Sequence, residues 1–142
     1  MLIDELKQIQ ATAFAFARKA HYFHWNVEGP NFVQYHDFLG ELYAEVDDSV
    51  DVIAELVRTL NAYAPGAHRM LMELSIIKDD DTVPDAIEMM RRLRDDNETL
   101  LNALRVGYQT AEQSGQLGIG NYLQDRIQAH EKHAWMLRSL TK

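Results

Sequence analysis

The chain has 142 residues, 46% of them hydrophobic, which suits a single domain spanning residues 1–142 with an ordinary core. A formal charge of -8 opposes a nucleic-acid surface, because binding polyphosphate depends on neutralising it with Lys and Arg; it favours a surface that attracts cations. There is no cysteine, so disulfides, thiolate metal sites and cysteine nucleophiles are excluded.

The opening Met1-Leu2-Ile3-Asp4-Glu5-Leu6-Lys7 lacks the basic and then apolar run of a signal peptide, and no apolar run reaches membrane-spanning length. A soluble cytoplasmic protein is the expectation. Ile3, Leu6, Ile9, Ala13, Phe16, Ala20, Phe23 and Val27 recur every three or four positions, predicting an amphipathic helix that Gly29-Pro30 stops. Phe32, Tyr35, Phe38, Leu39, Leu42, Val46, Val50, Ile53, Val57 and Leu60 keep that period, predicting a second long helix ended by Ala64-Pro65-Gly66. Met70-Leu71-Met72-Glu73-Leu74-Ser75-Ile76-Ile77 reads as a brief crossover helix, followed by Asp79-Asp80-Asp81 as a solvated loop. Thr82-Val83-Pro84-Asp85 reads as a helix start with Thr82 as N-cap, and the third long helix runs to about Ser114. Three glycines between Gln113 and Gly120 predict a turn; Tyr122, Leu123, Ile127, Ala134, Leu137 and Leu140 then mark a fourth long helix. No strand pattern, internal repeat or low-complexity tail is present. The predicted fold class is all-α, a ferritin-like four-helix bundle with a short crossover helix between the second and third long helices.

The chemistry concentrates in His21-Tyr22-Phe23-His24-Trp25-Asn26-Val27-Glu28-Gly29-Pro30, then His36, then Asp51 and Glu55 on the second helix. Imidazole and carboxylate together bind iron or zinc. His21 and His24 lie one turn apart and share a face, as do Asp51 and Glu55. From His36 to Asp51 a helix turns about 60° beyond four full circles, so both lie on broadly one side, yet roughly 22 Å apart along the axis. One ion cannot touch both. If all are ligands, the histidines of one copy meet the carboxylates of another, and two such helices packed antiparallel about a two-fold axis make two equivalent sites. Taken singly, a helical histidine is more often a surface or core residue than a ligand; the constellation carries the reading. His130 and His133, with Glu131 between them, have no partner group placed near by the sequence and read as helix-surface residues. Met70, Met72, Met89, Met90 and Met136 read as fillers of core gaps. No phosphate-cradling glycine loop occurs.

His24-Trp25-Asn26-Val27-Glu28-Gly29-Pro30-Asn31-Phe32, then His36, then Asp51-x-x-Ala54-Glu55 resembles the signature of the Dps mini-ferritins. Arg126-Ile127-x-x-His130-Glu131-Lys132-x-Ala134-Trp135-Met136-Leu137-Arg138-Ser139 is similar to that family's last helix, so the resemblance covers essentially the whole chain. It implies a hollow shell of twelve subunits whose ferroxidase sites, at two-fold interfaces, oxidise ferrous iron. Hydrogen peroxide is the implied preferred oxidant over oxygen, and ferric mineral is stored inside, protecting against oxidative damage. Carried over by residue, the catalytic ligands are His24 and His36 of one subunit with Asp51 and Glu55 of its two-fold mate. Zinc suits the same ligands and would stand as a surrogate or as an occupant without turnover.

One departure is Gly40, where many family members carry a carboxylate; its loss implies a weaker second iron position. Two readings of His21 stand: a further metal ligand, or hydrogen-bond partner to a bound water, that partly compensates, or a residue capping the rim. Trp25 resembles a site-adjacent electron donor, or packs at an interface. Glu41, Glu45, Asp47 and Asp48 form an acidic belt that either nucleates mineral or is a solvated helix face. Of the acids that line three-fold pores in similar proteins, only Asp125 carries over, since Asn121 is uncharged. A nucleoid-associated DNA-binding role is the competing reading. Such members usually carry a Lys-rich extension, whereas here the first helix begins near Met1 and the chain ends at Leu140-Thr141-Lys142, so DNA binding is not expected. A classical ferritin would need Glu-x-x-His pairs, and none occurs.

Overall fold

The apolar periods fold as four long helices in the computed structural model, which describes residues 1–142: α1 (Leu2–Asn26), α2 (Phe32–Thr59), the short α3 (His68–Leu74), α4 (Ala86–Gln113) and α5 (Leu117–Leu140). There is no strand. α1 and α2 form one helical hairpin and α4 and α5 the other; α1 packs on α4, and α3 lies across α1. Leu6, Ile9, Phe16 and Phe23 of α1 meet Leu39, Val46 and Ile53 of α2 and Leu93, Leu100 and Leu104 of α4 in one core. Burying each such side chain stabilises the fold by about 1.5–3 kcal/mol. No helix is long and apolar enough to cross a membrane.

Helix ends depart from expectation in instructive ways. α1 stops at Val27, as predicted, and Gly29 takes a φ of 120°, open to a residue without Cβ. α2 ends well before Pro65. Asn61 adopts a left-handed φ of 63°, its N–H bonds to Arg58 O at 3.0 Å, and the N–H of Ala62 bonds back to Val57 O at 3.4 Å. That is a Schellman closure with Asn in the position glycine usually takes. α4 closes the same way through Gly115, so the turn before α5 is short, and Gly118 and Gly120 belong to the first turn of α5 rather than to a loop.

At the start of α4 the N-cap is Asp85, not Thr82: Asp85 Oδ1 accepts from the Glu88 N–H at 2.9 Å. Pro84 pushes the residue before it toward extended backbone, so the helix cannot begin at Thr82. Thr82 instead donates to Asp80 through both its N–H and its hydroxyl. Asp80 also accepts from Arg92 at 2.8 Å, so the acidic loop is pinned to α4 at its middle and is not simply solvated. α3 starts and stops earlier than the predicted span, and Met70 and Met72 on it are exposed; Met89 and Met90 fill the core as expected, and Met136 is half-buried.

The largest correction lies on α5. His130 is 1% exposed and His133 9%, so neither is a surface residue. His130 Nδ1 donates to Asn97 Oδ1 at 2.7 Å, Asn97 Nδ2 donates to His130 O at 2.9 Å, and Arg126 Nη2 donates to His130 Nε2 at 2.9 Å. Arg126 also donates through both terminal nitrogens to Glu45 of α2, at 2.5 and 3.0 Å, and His133 Nε2 donates to Glu45 Oε1 at 2.7 Å. Glu45 therefore leaves the acidic belt and joins α2 to α5, where the two helices otherwise touch little. Buried ions persist only when paired and hydrogen-bonded, and this network satisfies them. The signal was present in the sequence: Leu123, Arg126, His130, His133 and Leu137 follow one another at the spacing of a single helical stripe.

Two expected outcomes follow from these helix-end and core contacts. Replacing the cap, Asp85→Ala, lowers stability by about 1 kcal/mol in denaturant unfolding. The second concerns pH. Burial, reinforced by Arg126 and His133, holds His130 neutral well below its ordinary value of 6.5, so the unfolded chain binds a proton that the folded one refuses. Burial opposes the charge on Glu45, but hydrogen bonds from His133 and Arg126 prevail and hold its carboxyl far below the usual range. The His130 contribution is thus lost as pH falls below 6.5, and the Glu45 contribution as it falls below 4.5. Thermal melting measured from pH 7 to 5 should fall in the wild type and fall less steeply in His130→Gln.

Candidate metal centre

The α1–α2 hairpin brings the last turns of α1, with His21, His24 and Trp25, beside the first turns of α2, with His36, Gly40 and Tyr43. His24 Nδ1 donates to His36 O at 2.7 Å, and His36 Nδ1 donates to His24 O at 2.8 Å. A carbonyl oxygen only accepts, so each Nδ1 carries a proton, and Nε2 is the nitrogen of each ring left to offer a lone pair. The two rings stack with centroids 3.8 Å apart and planes 14° from parallel, and Phe32 packs on His36 at 5.0 Å. Metal-binding histidines are commonly held this way, the far nitrogen tied to a carbonyl and the near one free.

His21 sits one turn earlier, its ring parallel to Tyr43 at 3.8 Å and tilted against Trp25 at 4.0 Å. Its centroid is 6.1 Å from that of His24, and its Nδ1 faces Arg18 Nη1 at 3.4 Å. Desolvation, with the nearby charges of Arg18 and His24, lowers its pKa, while Asp47 opposes the shift. Trp25 is 57% exposed and Val33 61%, giving the imidazole end an apolar rim open to the outside of the chain. Sequence reasoning missed Tyr43 as the partner of His21. It lies seven residues after His36, two turns on and so on the same face, which is the signal that would have found it.

Asp51 and Glu55 are exposed on α2, far along the helix from His36. Within one chain, no three His, Asp or Glu side chains converge where a single ion would touch them all. The structure thus gathers His21, His24 and His36 and leaves the two carboxylates apart from them. Glu41, Asp47 and Asp48 remain exposed on α2, as do Asn121 and Asp125 near the start of α5.

The sequence matches the ferritin-like domain family over residues 3–142, and the chain belongs to that family. It is 34% identical over 122 residues to the DNA protection during starvation protein of Brevibacillus brevis, covering 85% of this chain and 81% of that one. It is 32% identical over 133 residues to DNA protection during starvation protein 2 of Bacillus anthracis, covering 94% and 90%. The crystal structure of the Dps protein from Vibrio cholerae O1, described as a member of a broad superfamily of ferritin-like diiron-carboxylate proteins, superposes with a TM-score of 0.95 at 27% identity, covering 99% and 89%. Within the ferritin-like family these relatives place the chain among the Dps mini-ferritins. Membership connects it, at a coarse level, with iron storage and protection.

Proposed function

We propose that this protein oxidises ferrous iron, with hydrogen peroxide in preference to oxygen, at centres shared between two copies, and stores the ferric product inside a hollow shell of twelve. The single observation that carries the reading is the reciprocal pair of Nδ1–carbonyl hydrogen bonds, which leaves His24 and His36 with both Nε2 atoms unused within the chain. The exposed Asp51 and Glu55, and the exposed apolar rim around Trp25, support a second copy covering this end.

Ferrous iron is the substrate. Nε2 of His24 and of His36 bind it from one side, while Asp51 and Glu55 of the second copy bring anionic oxygens from the other. Carboxylates stabilise the ferric product over the ferrous reactant, which lowers the cost of giving up the electron. Two ferrous ions give one electron each to one hydrogen peroxide; its O–O bond breaks, two protons are taken up and two waters leave. Hydrolysis of the ferric ions then releases protons and deposits mineral, for which Glu41, Asp47 and Asp48 offer anionic nucleation. His21, stacked on Tyr43 and Trp25, serves as a further ligand or as a hydrogen-bond partner to bound water. Zinc fits the same donors and would compete with iron. The charge of -8 opposes polyphosphate, so protection in this reading rests on removing iron and peroxide rather than on coating DNA.

Shared centres have a consequence that a single-chain site lacks. Anaerobic ferrous loading followed by peroxide, monitored by absorbance, should show rapid oxidation in the wild type and at least about a tenfold loss in His36→Ala and in Asp51→Ala. Shells assembled from an equal mixture of the two variants should recover activity, because a mixed two-fold pair rebuilds one intact centre of its two, giving about a quarter of the wild-type number. No recovery on mixing, with assembly intact by size exclusion, would place the chemistry elsewhere.

A further inference from the structure

Glu55 has Arg58 on its own face of α2, three residues on, and does not pair with it. Elsewhere the chain shows what such neighbours ordinarily do: Glu88 and Arg91, at the same spacing, form an ion pair at 3.8 Å, and Glu88 also takes Arg92 at 3.1 Å. Arg58 is instead held by the turn that ends α2. Its Nη1 donates to Ala62 O at 3.0 Å, and its guanidinium carbon lies 4.9 Å from the centre of the Tyr63 ring. The left-handed turn at Asn61 makes this possible by folding Ala62 back over the last helical turn, its N–H on Val57 O. Asp51 and Glu55 are left with no ion pair in the chain. A guanidinium stays charged at any working pH and competes with a metal ion for carboxylate oxygens. Paired with Glu55, it would have to be displaced before an ion could bind there, and it would repel the arriving cation.

We propose that the Ala62 carbonyl and the Tyr63 ring stow Arg58, and that Tyr63 is thereby a positioning residue of the shared metal centre, keeping Glu55 free of its nearest cation. This rests on the reading of Asp51 and Glu55 as the ligands one copy lends to another's histidines. Tyr63 is 81% exposed, so core packing does not account for a ring at this place; its face is occupied by the guanidinium. The same turn that closes α2 then also decides where the charge of Arg58 goes.

An arginine in a last helical turn also favours the helix end, so the experiment has to separate stowing from capping. It uses the assembled protein, cobalt(II) as the probe, and Tyr63→Leu, Tyr63→Phe, Arg58→Gln, the double variant Arg58→Gln with Tyr63→Leu, and Glu55→Ala. Tyr63→Leu should weaken cobalt binding about threefold, the scale of an exposed cation–π contact, and the loss should shrink in high salt. Tyr63→Phe keeps the ring face and should match the wild type. Arg58→Gln should bind at least as tightly as the wild type, and in that background Tyr63→Leu should change nothing. A crystal structure of metal-free Tyr63→Leu should show Arg58 within ion-pair distance of Glu55. Unchanged affinity in Tyr63→Leu, an equal loss with and without Arg58, or weaker binding by Arg58→Gln would overturn the proposal. Should Glu55→Ala bind cobalt as the wild type does, the reading of Glu55 as a ligand fails and this inference falls with it; a clear Glu55→Ala defect beside an unaffected Tyr63→Leu removes the stowing alone.

Discussion

Two hydrogen bonds, each from an imidazole Nδ1 to the backbone carbonyl of the other histidine, tie the end of α1 to the start of α2. Each fixes a tautomer and a ring plane at once, so the orientation of His24 and His36 is settled by the backbone before any ion arrives. The constraints around them follow. The hairpin must be tight, hence the positive φ of Gly29, and the remaining rim is closed by aromatic rings, His21 on Tyr43 and Phe32 on His36. The rise of α2 carries Asp51 and Glu55 out of reach of these nitrogens, so in the proposed reading the anionic half of the centre comes from a second copy.

The middle of the bundle shows the opposite chemistry. Arg126 places a guanidinium there, paired with Glu45, and both nitrogens of His130 are already engaged by Asn97 and Arg126. A buried cation repels a metal ion, and a saturated hydrogen-bond network offers it no lone pair. Metal chemistry in the interior of this chain is therefore disfavoured by the groups that hold α2 and α5 together, while the open α1–α2 end keeps its nitrogens free. Breaking such a network by removing one partner leaves an uncompensated polar group, which is why these side chains act as a unit.

Much of this was legible in advance, and the failures share a cause. The long helices announced themselves through apolar residues every three or four positions, and the distance between His36 and Asp51 followed from rise per residue alone. The helix ends did not, because caps depend on which side chain finds a free backbone group: Asp85 rather than Thr82 reached the Glu88 N–H, and Asn61 rather than Pro65 closed α2. His130 and His133 were misjudged for the same reason. Their polarity suggested the surface, whereas their spacing with Leu123 and Leu137 placed them inside, and only the arrival of Asn97 and Glu45 from other helices made that burial tolerable.

Periodicity, residue chemistry and the geometry of a single helix are local properties, and from them the sequence alone yields an all-α bundle, an imidazole end, an acidic end and the incompatibility of the two within one chain. The stacking of His24 on His36, the His21–Tyr43 pair and the Arg126 network were decided only by the tertiary structure. Each depends on a contact between residues on different helices, and such contacts are set by how the helices pack, which no local pattern encodes.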